Sequence, residues 1–548
     1  MLTFEALHEN FTFLVLEVQG QLDATLQFLT RPTLALKQQI SLQLDRTTNM
    51  QTVVETKCYS KIASSPTLPQ SQVNKLRAMQ TMAVHLTMIS EFCVNITQQM
   101  RYLTKHSKLD PVDYLPFFDD IKEALGLILP TLEGADLSDA LAICRSEHAL
   151  DDKYDKIFSH LITKLDKEKN ASGHITVLFI YRYLERIGDS LQRIGEALIF
   201  ATVGNTLKVS QFDSLQQTLS QSGFTGSMCE VDYKAILGSR SGCRIGIVET
   251  LQPLHETPQQ GSIYKEGALS KIQREKNNLE QWQQMFPALV PNIYGYHEGQ
   301  DTAAVLIELL QGVTLDEIIM QASPTIVDKA LQDLKNTMRN VWETTKENNP
   351  VPTNYIQQLF KRLSPVMQVH PGSVRSSLSI GAIEEDSTFN LLEKCSLLES
   401  QLTAPFSVLT HGDLNMNNIV YNNQLKPIRF IDLYRSQNFD YVQDTSVFLV
   451  SVFRLPVFDP LLRDRLDDVT DQFYSFARSF AADHFDSTFD SRLAFALARS
   501  FYTSTRFELN QDFAKRMYLR AHFLMEKLLA HNTGNWEDFR LPEDILFY

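Results

Sequence analysis

Glycine is scarce, at 21 of 548 residues, against a usual share of ~7%. Long helices tolerate that shortage better than turn-rich β architectures, so helix should dominate. The six cysteines, Cys58, Cys93, Cys144, Cys229, Cys243 and Cys395, lie far apart without a C-x-x-C pair. That spacing excludes a zinc-finger ligand set and suits free thiols in a reducing compartment, hence the cytoplasm. No stretch approaches ~18 uninterrupted apolar residues, so no transmembrane helix is expected. The opening MLTFEALHEN holds Glu5 and Glu9 and no basic residue, unlike a secretory signal. Positive charge is also short. With 51 Lys and Arg against 65 Asp and Glu, the net charge is −14, which argues against a nucleic-acid partner.

What is present falls into two grammars. At roughly 100–200 residues per domain, the length predicts two to four domains. Residues 1–205 read as helix throughout, with Pro111, Pro116 and Pro130 marking loops or helix starts. Leu86, Ile89, Cys93, Ile96 and Met100 step by three and four, and Leu184, Ile187, Leu191, Ile194 and Leu198 repeat those intervals. Each set makes one apolar stripe along a helix. Two further helical segments precede each stripe, at about 1–30 and 33–63, then 110–130 and 137–168, which predicts two three-helix units in tandem. Residues 206–227, rich in Ser, Gln and Thr, suit a linker. From 228 to 540 the pattern is mixed: β-like runs (CRIGIVETL, GSIYKEG, TAAVLIELL) with a helix, then helices interrupted by strand-loop-strand around 406–434. This predicts a second, two-lobed α+β domain, with lobes at about 228–312 and 313–540.

The chemistry-bearing segment is HGDLNMNN at 411–418, followed by FIDLYRSQNFDYVQD at 430–444. An apolar run leads into a loop with His411, Asp413 and Asn418, and a second run presents Asp432. Asp and Asn five apart, with another Asp after the next strand, can hold Mg²⁺ on oxygen ligands beside a hydroxyl nucleophile. Residues 230–530 resemble the aminoglycoside/choline phosphotransferase branch of the protein-kinase-like fold. The resemblance implies ATP and Mg²⁺ as cofactors and a small-molecule hydroxyl as acceptor. It implies Asp413 as catalytic base, Asn418 and Asp432 as Mg²⁺ ligands, and structural roles for His411, Asp440 and Asp444. Lys265, in a β-like run, and Glu275, in the following helix, match the pair that grips nucleotide phosphates. Gly238 and Gly242 lie where a loop would cover those phosphates, or simply make a hairpin turn. The backbone from Glu308 to Leu310 would meet adenine, unless that run is an ordinary buried strand. Asp467, Asp468, Asp471 and Asp483 suit either a cationic acceptor or a solvated helix face.

In the helical half, Asp151 with Asp155, and Glu185 with Asp189, are carboxylate pairs four residues apart, each on one helix face. If the two helices face each other the four would bind a metal. The alternative is salt bridging, Arg182 to Glu185 and Arg193 to Asp189. LERIGD followed by an apolar heptad, in a tandem three-helix repeat, is similar to the PhoU family, whose bundles carry E/D-x-x-x-D metal sites. The resemblance implies a transition metal, iron or zinc, at the second repeat. The first repeat departs from the pattern, with Thr87 and Asn49 at two ligand positions. The same resemblance implies a phosphate transporter or sensor kinase as partner and admits a homodimer. Together the halves predict a kinase tied to phosphate status, or a catalytically silent nucleotide-binding adaptor. Gly188, inside a predicted helix, calls for a close helix contact, since glycine there costs ~1 kcal/mol relative to Ala.

Overall fold

The computed structural model describes residues 4–65, 67–103, 109–134, 137–165, 171–204, 209–224, 226, 231–236, 242–250, 261–424, 427–531 and 535–548. The chain forms two compact units, one of Met1–Gly267 with Tyr294–Leu306 and one of Ala268–Ile293 with Ile307–Tyr548.

The first unit opens with six long helices: α1 (Phe4–Thr30), α2 (Leu34–Ser64), α3 (Gln70–Gln99), α4 (Pro111–Gly134), α5 (Leu137–Leu165) and α6 (Ala171–Val203). The heptad stripes are their seams. Leu86, Ile89, Cys93 and Ile96 on α3 and Leu184, Ile187, Leu191 and Ile194 on α6 are fully buried. Glycine lets α6 approach α5: a Cβ on Gly188 would press Leu150 and Glu147, and one on Gly195 would clash with Cys144 and Ala140. Pro116 and Pro130 lie inside α4 instead of bounding it. The buried row Phe117, Phe118, Ile121, Leu125 and Ile128 holds the helix through both prolines.

The segment expected as a linker is largely a helix, α7 (Val209–Gln221). Gln216, Gln217, Ser220 and Gln221 are exposed, while Gln211 and Ser214 are buried. Phe212, Leu215 and Leu219, spaced by three and four, are buried in the same core as the bundle. A five-stranded sheet follows: β1 (Val231–Ala235), β2 (Arg244–Thr250), β3 (Ser262–Ala268), β4 (Ile293–Glu298) and β5 (Thr302–Glu308), in the order β1-β2-β3-β5-β4. The runs at 243–251, 261–267 and 302–310 are β2, β3 and β5. Strands β1 and β4 carry no strong alternation and escaped the sequence reading. Gly295 on β4 is seated against the Thr218 carbonyl of α7, and Arg145 of α5 reaches Asp213 of α7 at 3.9 Å. Val248, Tyr264, Ala304 and Leu306 extend the helical core into the sheet.

The second unit begins with α8 (Leu269–Met285) and continues through β6 (Val313–Thr314), α9 (Leu315–Gln321), α10 (Pro324–Thr344), β7 (Val351–Pro352), α11 (Tyr355–Val369), β8 (Leu378–Ile380), β9 (Ile383–Glu385), α12 (Thr388–Glu399), β10 (Thr403–Ala404) and β11 (Val408–Thr410). It ends with β12 (Ile419–Tyr421), β13 (Ile428–Phe430), β14 (Gln437–Phe439), α13 (Val442–Phe453), α14 (Pro460–Asp483), α15 (Phe489–Ser504) and α16 (Gln511–Ala530). Two small antiparallel sheets, β13-β12-β6 and β11-β14, frame the loop at 411–418. Every residue of α13 is buried, its polar Gln443, Asp444, Thr445, Ser446 and Ser451 included. Trp342 packs on Tyr441, Phe476 and Phe480 beneath it. The molecule thus has an all-helical N-terminal region and a C-terminal α+β kinase-like fold. No helix among the described residues is long and apolar enough to cross a membrane.

Candidate active site

Asp413 lies in the loop between β11 and β12, and three local devices fix its position. Gly412 takes φ +80°, and a Cβ there would collide with the Arg435 carbonyl, so only glycine fits the turn. Asp444, buried on α13, accepts the backbone N–H groups of His411 and Gly412, both at 2.8 Å. Burial pushes the Asp444 carboxyl up to about 7, against the pull of those two donors. His411 is buried beneath the loop. Its Nδ1 accepts the Asp413 N–H at 3.3 Å and its Nε2–H donates to the Ile431 carbonyl at 3.1 Å, a pattern that fits one neutral tautomer. Burial keeps that imidazole below its ordinary pKa.

The loop closes on itself. Asn418 Nδ2 donates to the Asp413 carbonyl at 2.9 Å, and the Ile431 N–H donates to the Asn418 carbonyl at 3.0 Å. Asp432 follows in the left-handed region, at φ 62°, a conformation that Asp tolerates better than bulkier residues. These two bonds join the segments that carry Asp413, Asn418 and Asp432. The Asn418 amide nitrogen is committed to Asp413, so its oxygen is the end suited to a hard cation, with the Asp432 carboxylate a second oxygen donor. The donor set fits Mg²⁺.

Further out, Asp440 is fully buried, paired with Arg492, and accepts the Tyr355 hydroxyl at 2.9 Å and the Val442 N–H at 3.1 Å. Asn278 of α8 donates to the Leu433 and Ser436 carbonyls at 2.7 and 3.0 Å, tying the start of the unit to the segment after Asp432. Glu308 is held by Arg429 at 2.5 and 2.9 Å and accepts the Asn292 N–H at 3.1 Å; Leu310 follows, half-buried. Lys265 on β3 and Glu275 on α8 are both buried, in different units. Gly242 has φ +72° with open space where a Cβ would be. Gly238 lies outside the described residues. Asp468, Asp471 and Asp483 are exposed on α14, and Asp483 pairs with Arg339 at 2.9 Å.

The helical carboxylates are arranged differently from the expected metal site. Glu185 is buried and paired through Oε1 with Arg182 at 2.7 Å, its Oε2 has no hydrogen-bond partner among the described residues, and the Asp151 carboxylate acts on it. Burial, opposed by Arg182, pushes its carboxyl up to about 7. Asp155 and Asp189 are exposed, and Arg193 pairs with Glu196 at 2.8 Å in place of Asp189. Among the described residues no three His, Cys, Asp or Glu side chains gather as metal ligands. The arginine three residues before Glu185 supplies the charge that a cation would bring, so iron or zinc does not fit here.

Family comparisons agree with this division. The PhoU domain model matches residues 117–198, and the ecdysteroid kinase-like family model matches residues 296–475. The chain carries a PhoU domain and an ecdysteroid kinase-like domain. A phosphate-specific transport system accessory protein PhoU homologue from Clostridium acetobutylicum is 22% identical over 164 residues, covering 30% of this chain and 75% of the relative. A PhoU homologue from Zymomonas mobilis is 27% identical over 124 residues, and the chain spans only about half (52%) of its length. Among solved structures, PhoU from Streptococcus pneumoniae aligns at TM-score 0.35 and 17% identity, over 37% of this chain and 97% of that one. An aminoglycoside phosphotransferase from Streptomyces rimosus aligns at TM-score 0.33 and 16% identity, over 57% of this chain and 98% of that one.

Around the kinase-like domain's Asp413 stands a group the sequence reading missed. Arg435 Nη1 lies 3.1 Å from Asp413 Oδ2. The charges of Arg362, Arg499 and Arg506 also interact with Asp413 and with Arg435. Arg435 stands three residues after Asp432 and Arg506 seven after Arg499. Only the fold brings the four together.

Proposed function

We propose that the kinase-like domain transfers the γ-phosphoryl group of ATP to a hydroxyl of a small molecule, and that the PhoU domain ties this activity to phosphate status through a phosphate transporter or sensor kinase. The hydrogen bonds that join the segments bearing Asp413, Asn418 and Asp432 carry the reading. Asp413 accepts the hydroxyl proton as the hydroxyl oxygen bonds to the γ-phosphorus; the bond from phosphorus to the β-γ bridging oxygen breaks and ADP leaves. Asn418 and Asp432 would hold Mg²⁺, which when bound neutralises phosphate charge. Lys265, with Glu275, would grip the phosphates from β3. The Asp444 and His411 contacts keep Asp413 from drifting, and a positioned carboxylate loses much of its effect when misplaced by ~1 Å.

The test is ATP consumption by the full-length protein with pooled hydroxyl metabolites, beside Asp413→Ala. Turnover with one pool, lowered by ~10³-fold or more in the variant with nucleotide binding retained, supports the reading. A second reading, a silent nucleotide-binding adaptor, is favoured by the Arg435 pair that engages Asp413. Mg²⁺-dependent stabilisation by ATP without turnover in any pool would select it.

A further inference from the structure

Arg362 stands on α11, Arg435 follows Asp432, Arg499 is on α15, and Arg506 is in the turn at 505–507. Helix α11 packs on both α15 and that turn. Arg499 is buried: its Nη2 donates to Ser446 Oγ at 3.3 Å, its guanidinium lies 5.5 Å from the Tyr355 ring centroid, and its Nε has no hydrogen-bond partner among the described residues. Arg362, half-buried, makes no hydrogen bond or ion pair with any described residue. Arg506 lies 4.4 Å from the Phe507 ring centroid. The charge of Asp413 acts on all four.

Besides Asp413, Asp432 acts on Arg435, and Glu399 and Asp444 act with Arg499. Burial pushes the last two carboxyls up to about 7, so the four guanidinium groups still outweigh the ionised carboxylates in a half-buried place. Like charges held together away from bulk water repel, and a buried cation without an anion is unfavourable. Burial, with the neighbouring arginines, brings Arg362 down to about 9 and Arg499 to about 10. An anion would relieve this, and the planar forks of arginine match carboxylate and phosphate oxygens in pairs. The excess surrounds the carboxylate that would receive the acceptor hydroxyl. The residues expected to hold nucleotide, Lys265, Glu275 and Glu308, lie on β3, α8 and β5.

We propose that the acceptor is itself an anion, a hydroxyl-bearing small molecule whose carboxylate or phosphate group is held by Arg362, Arg435 and Arg506, with Arg499 behind them. This rests on the phosphotransferase reading and names its substrate class. On binding, the anion draws Arg435 from Asp413, so the base is released only when its substrate is present. A cationic alcohol would meet repulsion at the same place.

The test uses full-length protein. Without ATP, calorimetric titrations employ glycerate as the carboxylate arm, glycerol 3-phosphate as the phosphate arm, and choline and glycerol as cationic and neutral controls. Saturable binding of an anionic arm alone, weakened tenfold or more in Arg362→Gln and in Arg506→Gln and partly restored by Arg506→Lys, is the expected result; the arm that binds identifies the anion. No saturable binding by either anionic arm, or equal binding by choline, would overturn it. With ATP, the same substitutions should raise KM for the acceptor tenfold or more and leave KM for ATP within twofold. A rise in KM for ATP alone would instead assign the cluster to the nucleotide. Anion binding intact with no turnover in any pool would remove the phosphotransferase reading and leave anion recognition standing. Circular dichroism of each variant separates lost binding from lost folding.

Discussion

Two buried carboxyl groups contribute to the pH response of the kinase-like domain. Glu399, at the end of α12, accepts the N–H groups of Tyr355 and Ile356 at 2.5 and 2.9 Å, satisfying the first turn of α11. Burial pushes its carboxyl up to about 7, as it does for Asp444. A folded pKa above the unfolded one means that the folded state keeps a proton the unfolded chain has lost. Stability from that proton is complete below the ordinary carboxylate range and fades as pH climbs through 7. Glu399→Gln imitates the protonated form at every pH, although one amide oxygen must serve two donors, a loss of about 1–2 kcal/mol. Its stability deficit should therefore be largest near pH 5 and shrink toward pH 8. Denaturation followed by hydrogen exchange in α11 reads this directly; a deficit that grows with pH would contradict it. At this scale the sequence was legible where chemistry runs along one stretch of chain. His411, Asp413, Asn418 and Asp432 lie within 22 positions, and their spacing is kept by two short strands. The arginines were not legible, because positions 362, 435, 499 and 506 share no local pattern and an isolated helical arginine ordinarily faces water.

At the scale of elements, the helices of the PhoU domain were readable because each buries one stripe at heptad spacing. Helix α7 was not, since its three apolar residues stand among Ser and Gln that also suit a tether. The two α6 glycines separate packing from propensity. A Cβ at Gly188 meets Leu150 Cδ1 at 3.1 Å and the Glu147 backbone Cα at 3.2 Å, contacts that a shift of a few tenths of an ångström relieves, while at Gly195 it meets the Ala140 carbonyl at 2.8 Å and the Cys144 sulfur closer still. Replacing a mid-helix glycine by alanine gains ~1 kcal/mol of helix propensity, and overpacking against backbone costs about 1–3 kcal/mol. Gly188→Ala should thus leave the thermal midpoint nearly unchanged, and Gly195→Ala should lower it. If both variants melt alike, α5 and α6 do not pack as closely as the structure has them. The four carboxylates belong to the same lesson: their spacing was visible, but the pairing of Glu185 with Arg182 depends on rotamers that spacing does not specify.

For the molecule as a whole, the boundary suggested by composition differs from the boundary drawn by packing. Bundle, α7 and five-stranded sheet share one hydrophobic core, and Lys265 is on the third strand of that sheet. A fragment beginning at residue 228 would lose Phe212, Leu215 and Leu219 from the core that also holds Val248, Tyr264, Ala304 and Leu306. Each large apolar side chain removed from such a core costs about 2–5 kcal/mol, more together than a small sheet can spare. A fragment beginning at 205 keeps α7 over the sheet. It should remain soluble and keep its stabilisation by ATP, whereas the 228 fragment should bind a hydrophobic dye and lose that stabilisation. Equal behaviour of the two would make α7 a dispensable tether. If they differ as expected, the PhoU domain reaches the strand bearing Lys265 through packed side chains. A change in the bundle could then alter nucleotide binding without any flexible linker to carry it.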